Sequence, residues 1–306
     1  MRRRLIQHGE KTLMVSLPAK WVRLQGLKKG DEVVLAPENS FVTISKEERF
    51  EAVHKIKISI KPEPHLPAHA VLSNAYKLGF DEILVDYSGK EQLECIKQAV
   101  KSMIGFEIVN LTVDTCMIKS VIKSTDMEYE SIKKRCWFSI KSAFETFISD
   151  MKSGKQDNYN VVCELYDNNI KFTDFCRRLI NKHVFLDVKN SCLEYSVILK
   201  LVSVLALIKE AYFCIMEKKI KPGRDFIDFV EKSYDYFNLV YDAYYEKDFS
   251  LGTKVIARWE VLNHLGEKLL KKYGVPASKF LEIIRYCRNS GGHIIGLYYL
   301  DNELKT

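Results

Sequence analysis

The sequence predicts a multidomain α+β protein. Residues 1–47 read as half of a small β-barrel, 48–124 as a small βαβαββ layer, and 125–306 as an all-α bundle. Three observations carry that reading. Five of the seven prolines lie at or before Pro67, and residues 68–221 contain none, which suits long helices. Short apolar runs punctuated by glycine and proline dominate the first 124 residues. Beyond them, apolar residues recur at three- and four-residue steps. A chain of 306 residues, 47% hydrophobic and 28% charged, has material for about two or three folded domains and is not disordered.

In the first segment, Arg4-Leu5-Ile6-Gln7 and Thr12 to Leu17 are predicted strands around a Gly9-Glu10-Lys11 turn. Pro18 opens a short helix to Gln25, because proline suits a first helical turn, and Gly26 stands where a helix cap is expected. Gly30-Asp31 turns the chain into a strand over Glu32 to Ala36. A second turn at Pro37-Glu38-Asn39-Ser40 leads to a strand over Phe41 to Ser45. In the second segment, Val53 to Ile60 alternates apolar and polar residues as a half-buried strand does. Leu66 to Leu78 fits a helix capped by Gly79, and Lys90 to Met103 a helix closed near Gly105. Glu82 to Tyr87, Phe106 to Leu111 and Cys116 to Ile122 fit strands. The third segment holds six helical stretches, at about 127–152, 156–182, 191–217, 223–246, 250–272 and 277–302. The fourth carries one apolar stripe: Phe226, Phe229, Val230, Ser233, Phe237, Val240, Tyr241 and Tyr244. Lys221-Pro222-Gly223 divides the six into three plus three, which points to a duplicated three-helix bundle.

Charge is uneven. Residues 1–46 hold nine basic and four acidic side chains, so five of the chain's seven excess positive charges sit there. A concentrated basic patch is an electrostatic footprint for phosphate, although a solvated basic surface is an equally ordinary reading. A 47-residue ββαββ unit is too small to bury a core of its own. Two copies exchanging strands would close a barrel and remove the open edges, so a homodimer is expected.

The run Lys11-Thr12-Leu13-Met14-Val15-Ser16-Leu17-Pro18-Ala19-Lys20-Trp21-Val22 continues through Leu24 to Gly26-Leu27-Lys28-Lys29-Gly30-Asp31-Glu32-Val33. Over about 35 residues it resembles the AbrB/SpoVT, swapped-hairpin family of DNA-binding domains. That family has a strand ending in Ser-Leu-Pro, a short helix, and Gly-Leu-Lys-x-Gly-Asp before the next strand. The resemblance implies double-stranded DNA as partner, with Arg2, Arg3, Arg4, Lys11, Lys20 and Arg23 as candidate contacts. It implies recognition of DNA shape and backbone, so no base code is read here. Trp21, Val22 and Leu24 fit barrel packing better than readout.

A three-plus-three helical bundle behind such a module resembles the archaeal PhoU-like phosphate uptake regulators. Gly79-Phe80-Asp81-Glu82-Ile83 and Ile104-Gly105-Phe106-Glu107-Ile108-Val109 also fit their connecting region. The family's bundles carry acidic pairs four residues apart that share metal ions. Here that pattern is eroded: Asp167 is followed by Lys171, Glu210 is preceded by Ala206, and the last position reads Gly292-His293-Ile294-Ile295-Gly296. No cofactor is therefore expected, and Asp167 and Glu210 are weak metal candidates at best. Together with Glu164 they read as solvated or paired bundle residues.

Other chemistry finds little support. The eight cysteines are dispersed without a CxxC pair, which suits reduced thiols and a cytoplasmic location. The start, Met-Arg-Arg-Arg, has no apolar signal core, and the apolar run Leu201 to Ile208 is too short to span a bilayer. His65 and His69 are spaced to chelate zinc with Glu63 nearby, but surface histidines are the commoner reading. The tyrosines at 234, 236, 241, 244 and 245 suit packing more than base stacking. Without a phosphate-binding glycine loop, a nucleophile elbow or paired catalytic carboxylates, the chain does not read as an enzyme. The leading expectation is a DNA-binding transcription regulator of phosphate uptake, whose helical part senses a state or contacts a phosphate transporter or signalling protein. The alternative is a dimeric adaptor that acts through protein contacts and does not bind DNA.

Overall fold

Two antiparallel ladders and one short helix make up the start of the computed structural model, which describes residues 2–38, 41–46, 53–60, 68–122, 126–182, 188–246 and 248–303. The chain divides into two compact units, Met1–Ala52 and Val53–Thr306.

In the first unit, β1 (Ile6–His8) pairs with β2 (Thr12–Met14), with Ile6 opposite Met14. Gly9 takes a positive φ in the turn between them. Helix α1 (Ala19–Leu24) follows Pro18, which stands at the N-cap in extended conformation. The helix ends as its glycine predicts. Gly26 has φ +64°, and the Leu27 N–H donates to the Val22 carbonyl at 3.0 Å, closing the last turn. β3 (Val34–Glu38) pairs with β4 (Phe41–Ser45). Pro37 lies inside β3 opposite Val42, where the sequence predicts a turn. A two-stranded ladder has free edges, and a proline's missing N–H costs nothing there. The predicted strand over Thr12 to Leu17 stops at Met14, because β1 offers only three residues to pair with.

The second unit begins with a four-stranded sheet. β5 (Lys55–Ser59), α2 (Ala68–Lys77), β6 (Glu82–Asp86), α3 (Gly89–Lys101), β7 (Phe106–Leu111) and β8 (Thr115–Ser120) follow in chain order. The sheet order is β5-β6-β8-β7, with β5 parallel to β6 across the α2 crossover and the other pairs antiparallel. Period-two alternation puts Ile83, Val85, Cys116 and Ile118 on one buried face with Leu72, Tyr76, Ile96 and Ala99 of the two helices.

Six long helices follow: α4 (Asp126–Ser153), α5 (Tyr159–Asn181), α6 (Val188–Glu217), α7 (Arg224–Glu246), α8 (Phe249–Tyr273) and α9 (Val275–Glu303). α4, α5 and α6 pack on one another, and so do α7, α8 and α9. The two trios meet first helix to first, α4 against α7, and third to third, α6 against α9. One continuous core runs through both, rich in aromatic rings such as Trp137 and Phe237, 5.3 Å apart, and Phe147 and Phe280, 5.2 Å apart. The stripe of α7 is buried from Phe226 to Tyr244, with Tyr236 added and Tyr241 half-buried. Glycines let α8 come close to its neighbours: a Cβ on Gly266 would stand 2.4 Å from Leu281 and 2.7 Å from Phe229. Among the described residues, α6 is the one helix long and apolar enough to cross a membrane, and half of its apolar window is buried in the bundle.

Sheet layer and bundle join through a buried polar cluster on α2 and α5. Arg178 of α5, almost wholly buried, donates to the Tyr76 carbonyl at 3.1 Å and the Phe80 carbonyl at 2.7 Å, and pairs with Asp81. Its guanidinium also lies over the Phe106 ring, 4.7 Å from the centroid. Lys182 reaches both Asp81 oxygens at 2.7 and 2.8 Å. Gly79 makes room: it has φ +94°, and a Cβ there would lie 2.8 Å from the Lys182 side chain.

Candidate nucleic-acid interface

All six basic residues singled out in the first unit are exposed, and among the described residues none has an ion-pair partner. Arg2, Arg3 and Arg4 precede β1 at the open end of the first hairpin, and Lys11 sits in its turn. About five residues of extended chain separate Arg4 from the turn, so the hairpin holds these groups roughly 15 Å apart. Lys20 and Arg23 share one face of α1 at a three-residue step. Arg23 is steadied there by a bond from Nε to the Ala19 carbonyl at 3.3 Å. Within one chain, then, the structure gathers Lys20 with Arg23 and leaves the arginine cluster and Lys11 at opposite ends of a hairpin. The Lys28 to Asp31 turn is fixed by the Asp31 carboxylate accepting from the Lys28 N–H at 2.7 Å.

The apolar side chains beside them are equally telling. No residue of the first unit whose side chain is described is buried. Leu5, Ile6, Leu13, Met14, Val15, Leu24, Leu35 and Val42 are exposed, Leu24 to 73%. Trp21 and Val22 are half-buried. A lone two-stranded hairpin is marginal in water, and here two of them share no ladder.

The candidate metal residues of the bundle are apart. Asp167 and Glu164 are exposed on α5, and Glu210 of α6 pairs with Lys279 of α9 at 2.5 Å. Among the described residues, no three His, Cys, Asp or Glu side chains come together in a metal-binding group. His69 is exposed on α2, while Glu63 and His65 lie outside the described residues. All eight cysteines are free thiols, five of them buried. Of the clustered tyrosines, Tyr236 donates to the Val255 carbonyl at 2.5 Å and Tyr244 to buried Glu194 at 2.6 Å, which is packing chemistry.

Two polar clusters went unread in the sequence. One is the Arg178–Asp81–Lys182 joint. Burial raises the Asp81 carboxyl, but the bonds from Lys182 and from the His54 N–H and the Arg178 charge outweigh it and hold the group below its ordinary range. The other is Lys200 with His293, on α6 and α9. Its only sequence signal is a lysine immediately before the apolar run 201–208 and a histidine between glycines in a helix. No protein-family model matches this chain, and no curated protein and no solved structure proves similar to it.

Proposed function

We propose that this protein is a dimeric DNA-binding transcription regulator. The observation that supports it best is the first unit's surface, where among the described residues the six candidate cations have no ion-pair partner and no apolar side chain is fully buried. The apolar side chains call for a second copy, with the strands exchanged to complete a swapped-hairpin barrel. That assembly does not need the unpaired cations, which suit a polyanion. A two-fold pair would present two sets of Arg2, Arg3, Arg4, Lys11, Lys20 and Arg23 to successive stretches of duplex backbone. The AbrB/SpoVT resemblance of residues 11–33 agrees with this reading. A PhoU-like role for the three-plus-three bundle, reporting phosphate supply to the DNA-binding unit, rests on resemblance alone.

The test is binding of the full chain to duplex DNA across a range of salt. The reading requires one dimer on DNA and an affinity that falls steeply and log-linearly with salt. Absence of binding at low salt by a chain that is dimeric would leave the adaptor reading, in which the first unit only dimerises.

A further inference from the structure

Lys200 and His293 meet where α6 crosses α9. The Lys200 Nζ lies 2.8 Å from His293 Nδ1, and the Ser196 Oγ lies 3.3 Å from the same nitrogen. All three side chains are half-buried. An ammonium only donates, so Nδ1 of the neutral ring accepts and the ring proton stands on Nε2.

What distinguishes this cation from the half-buried Lys77 and Lys141, which have carboxylates acting on them from nearby, is that it has none. Elsewhere in the unit, Lys133 has Glu130 at 2.8 Å, Arg178 and Lys182 share Asp81, and Lys279 has Glu210. Lys200 has no ion pair among the described residues. Burial alone pulls its ammonium down to about 8, with no carboxylate acting against it. His293 is also lowered, by burial and then by the Lys200 charge. One ammonium withdrawn from water beside a neutral imidazole, without a counter-charge, makes a local deficit of negative charge. There is also space. Gly296 lies one turn beyond His293 on α9, and a Cβ there would meet only Leu193, at 3.6 Å.

We propose that the Lys200–His293–Ser196 cluster at the α6–α9 crossing is a binding site for a small oxyanion. The ammonium has two N–H groups left for the ligand, and the serine hydroxyl offers a third donor. The site stands apart from the DNA reading and holds whether or not the first unit binds duplex. Because α6 and α9 join the two helical trios, an anion there would bear on how the trios meet.

The experiment is calorimetric titration of the full chain with phosphate, sulfate and acetate in separate runs, ionic strength being held constant with chloride. Saturable binding of at least one of them below about 10 mM is expected. Lys200→Gln should weaken it by roughly ten- to a hundredfold, while Lys200→Arg keeps most of it. The anion that binds most tightly identifies the ligand as phosphate-like or carboxylate-like. A parent protein that saturates with none of the three overturns the proposal. So does a Lys200→Gln variant that binds as tightly as the parent. Should that variant not fold, the parent still decides: the ring resonances of His293, identified by their loss in His293→Gln, must shift as the anion saturates. Stationary resonances would place the anion elsewhere and refute the site.

Discussion

Each exposed arginine ahead of β1 can neutralise one phosphate, and each neutralised phosphate releases condensed counterion. Replacing Arg3 and Arg4 together by Ala should therefore weaken binding to all duplexes alike and flatten the salt dependence by about one unit per lost contact. Fluorescence titrations at several salt concentrations measure both, and equal slopes for parent and variant would remove these arginines from the DNA surface. Asp81 offers a second test at this scale. Its folded carboxyl is held below its ordinary range, so the folded state binds fewer protons there than the unfolded chain does. The joint's contribution is then complete above the unfolded value of about 3.9 and falls away as pH drops through the folded one. Urea midpoints followed from neutral into acid should show a limb that Asp81→Asn flattens. Arg178→Ala should cost about 1–3 kcal/mol at neutral pH, because it leaves the Phe80 carbonyl without its donor, while Asp81 keeps Lys182 and the His54 N–H. Neither residue was legible beforehand. Arg178 stands in an ordinary helical stretch, and its partner Asp81 lies 97 positions earlier in the chain. Periodicity shows which face of a helix is buried, but not which charged side chain crosses to another layer.

At the scale of the element, the sequence spoke more clearly. Local rules decide local structure, and the proline-free stretch yields long helices close to their predicted limits. Gly26 and Gly79 close their helices with positive φ as caps should. The departures also have causes. Pro37 signals a turn from composition, yet it pairs in β3 because an unshared ladder tolerates the missing N–H. Lys219 takes the left-handed conformation that ends α6, φ 50°, and no glycine marks it; the Ile220 N–H donates to the Ile215 carbonyl to hold it there. Gly266 could have been read as a weak point of α8, but it is where Leu281 and Phe229 press in. Gly266→Ala gains up to about 1 kcal/mol of helix propensity and loses about 1–3 kcal/mol to overpacking, so the net change should be destabilising. Thermal unfolding measures the sign; a higher melting point would mean that α8 and α9 have room to spare.

For the molecule as a whole, the division between a second unit with two buried cores, one in the sheet layer and one in the bundle, and a first unit with none among its described residues sets the expected assembly. The chain should run as a dimer in multi-angle light scattering, and removal of residues 1–52 should leave a folded monomer. A dimer that survives the deletion would put the interface in the second unit. That no described side chain of the first unit is buried also has a bearing on dosage. For the proposed regulator, folding of that unit and meeting of two chains are one event, and its stability is inseparable from chain concentration. The population able to hold an operator then rises with the square of the chain concentration while monomer predominates. Halving expression would cut that population about fourfold in that regime, so the cell's supply of the protein would itself act as a threshold on the genes it controls.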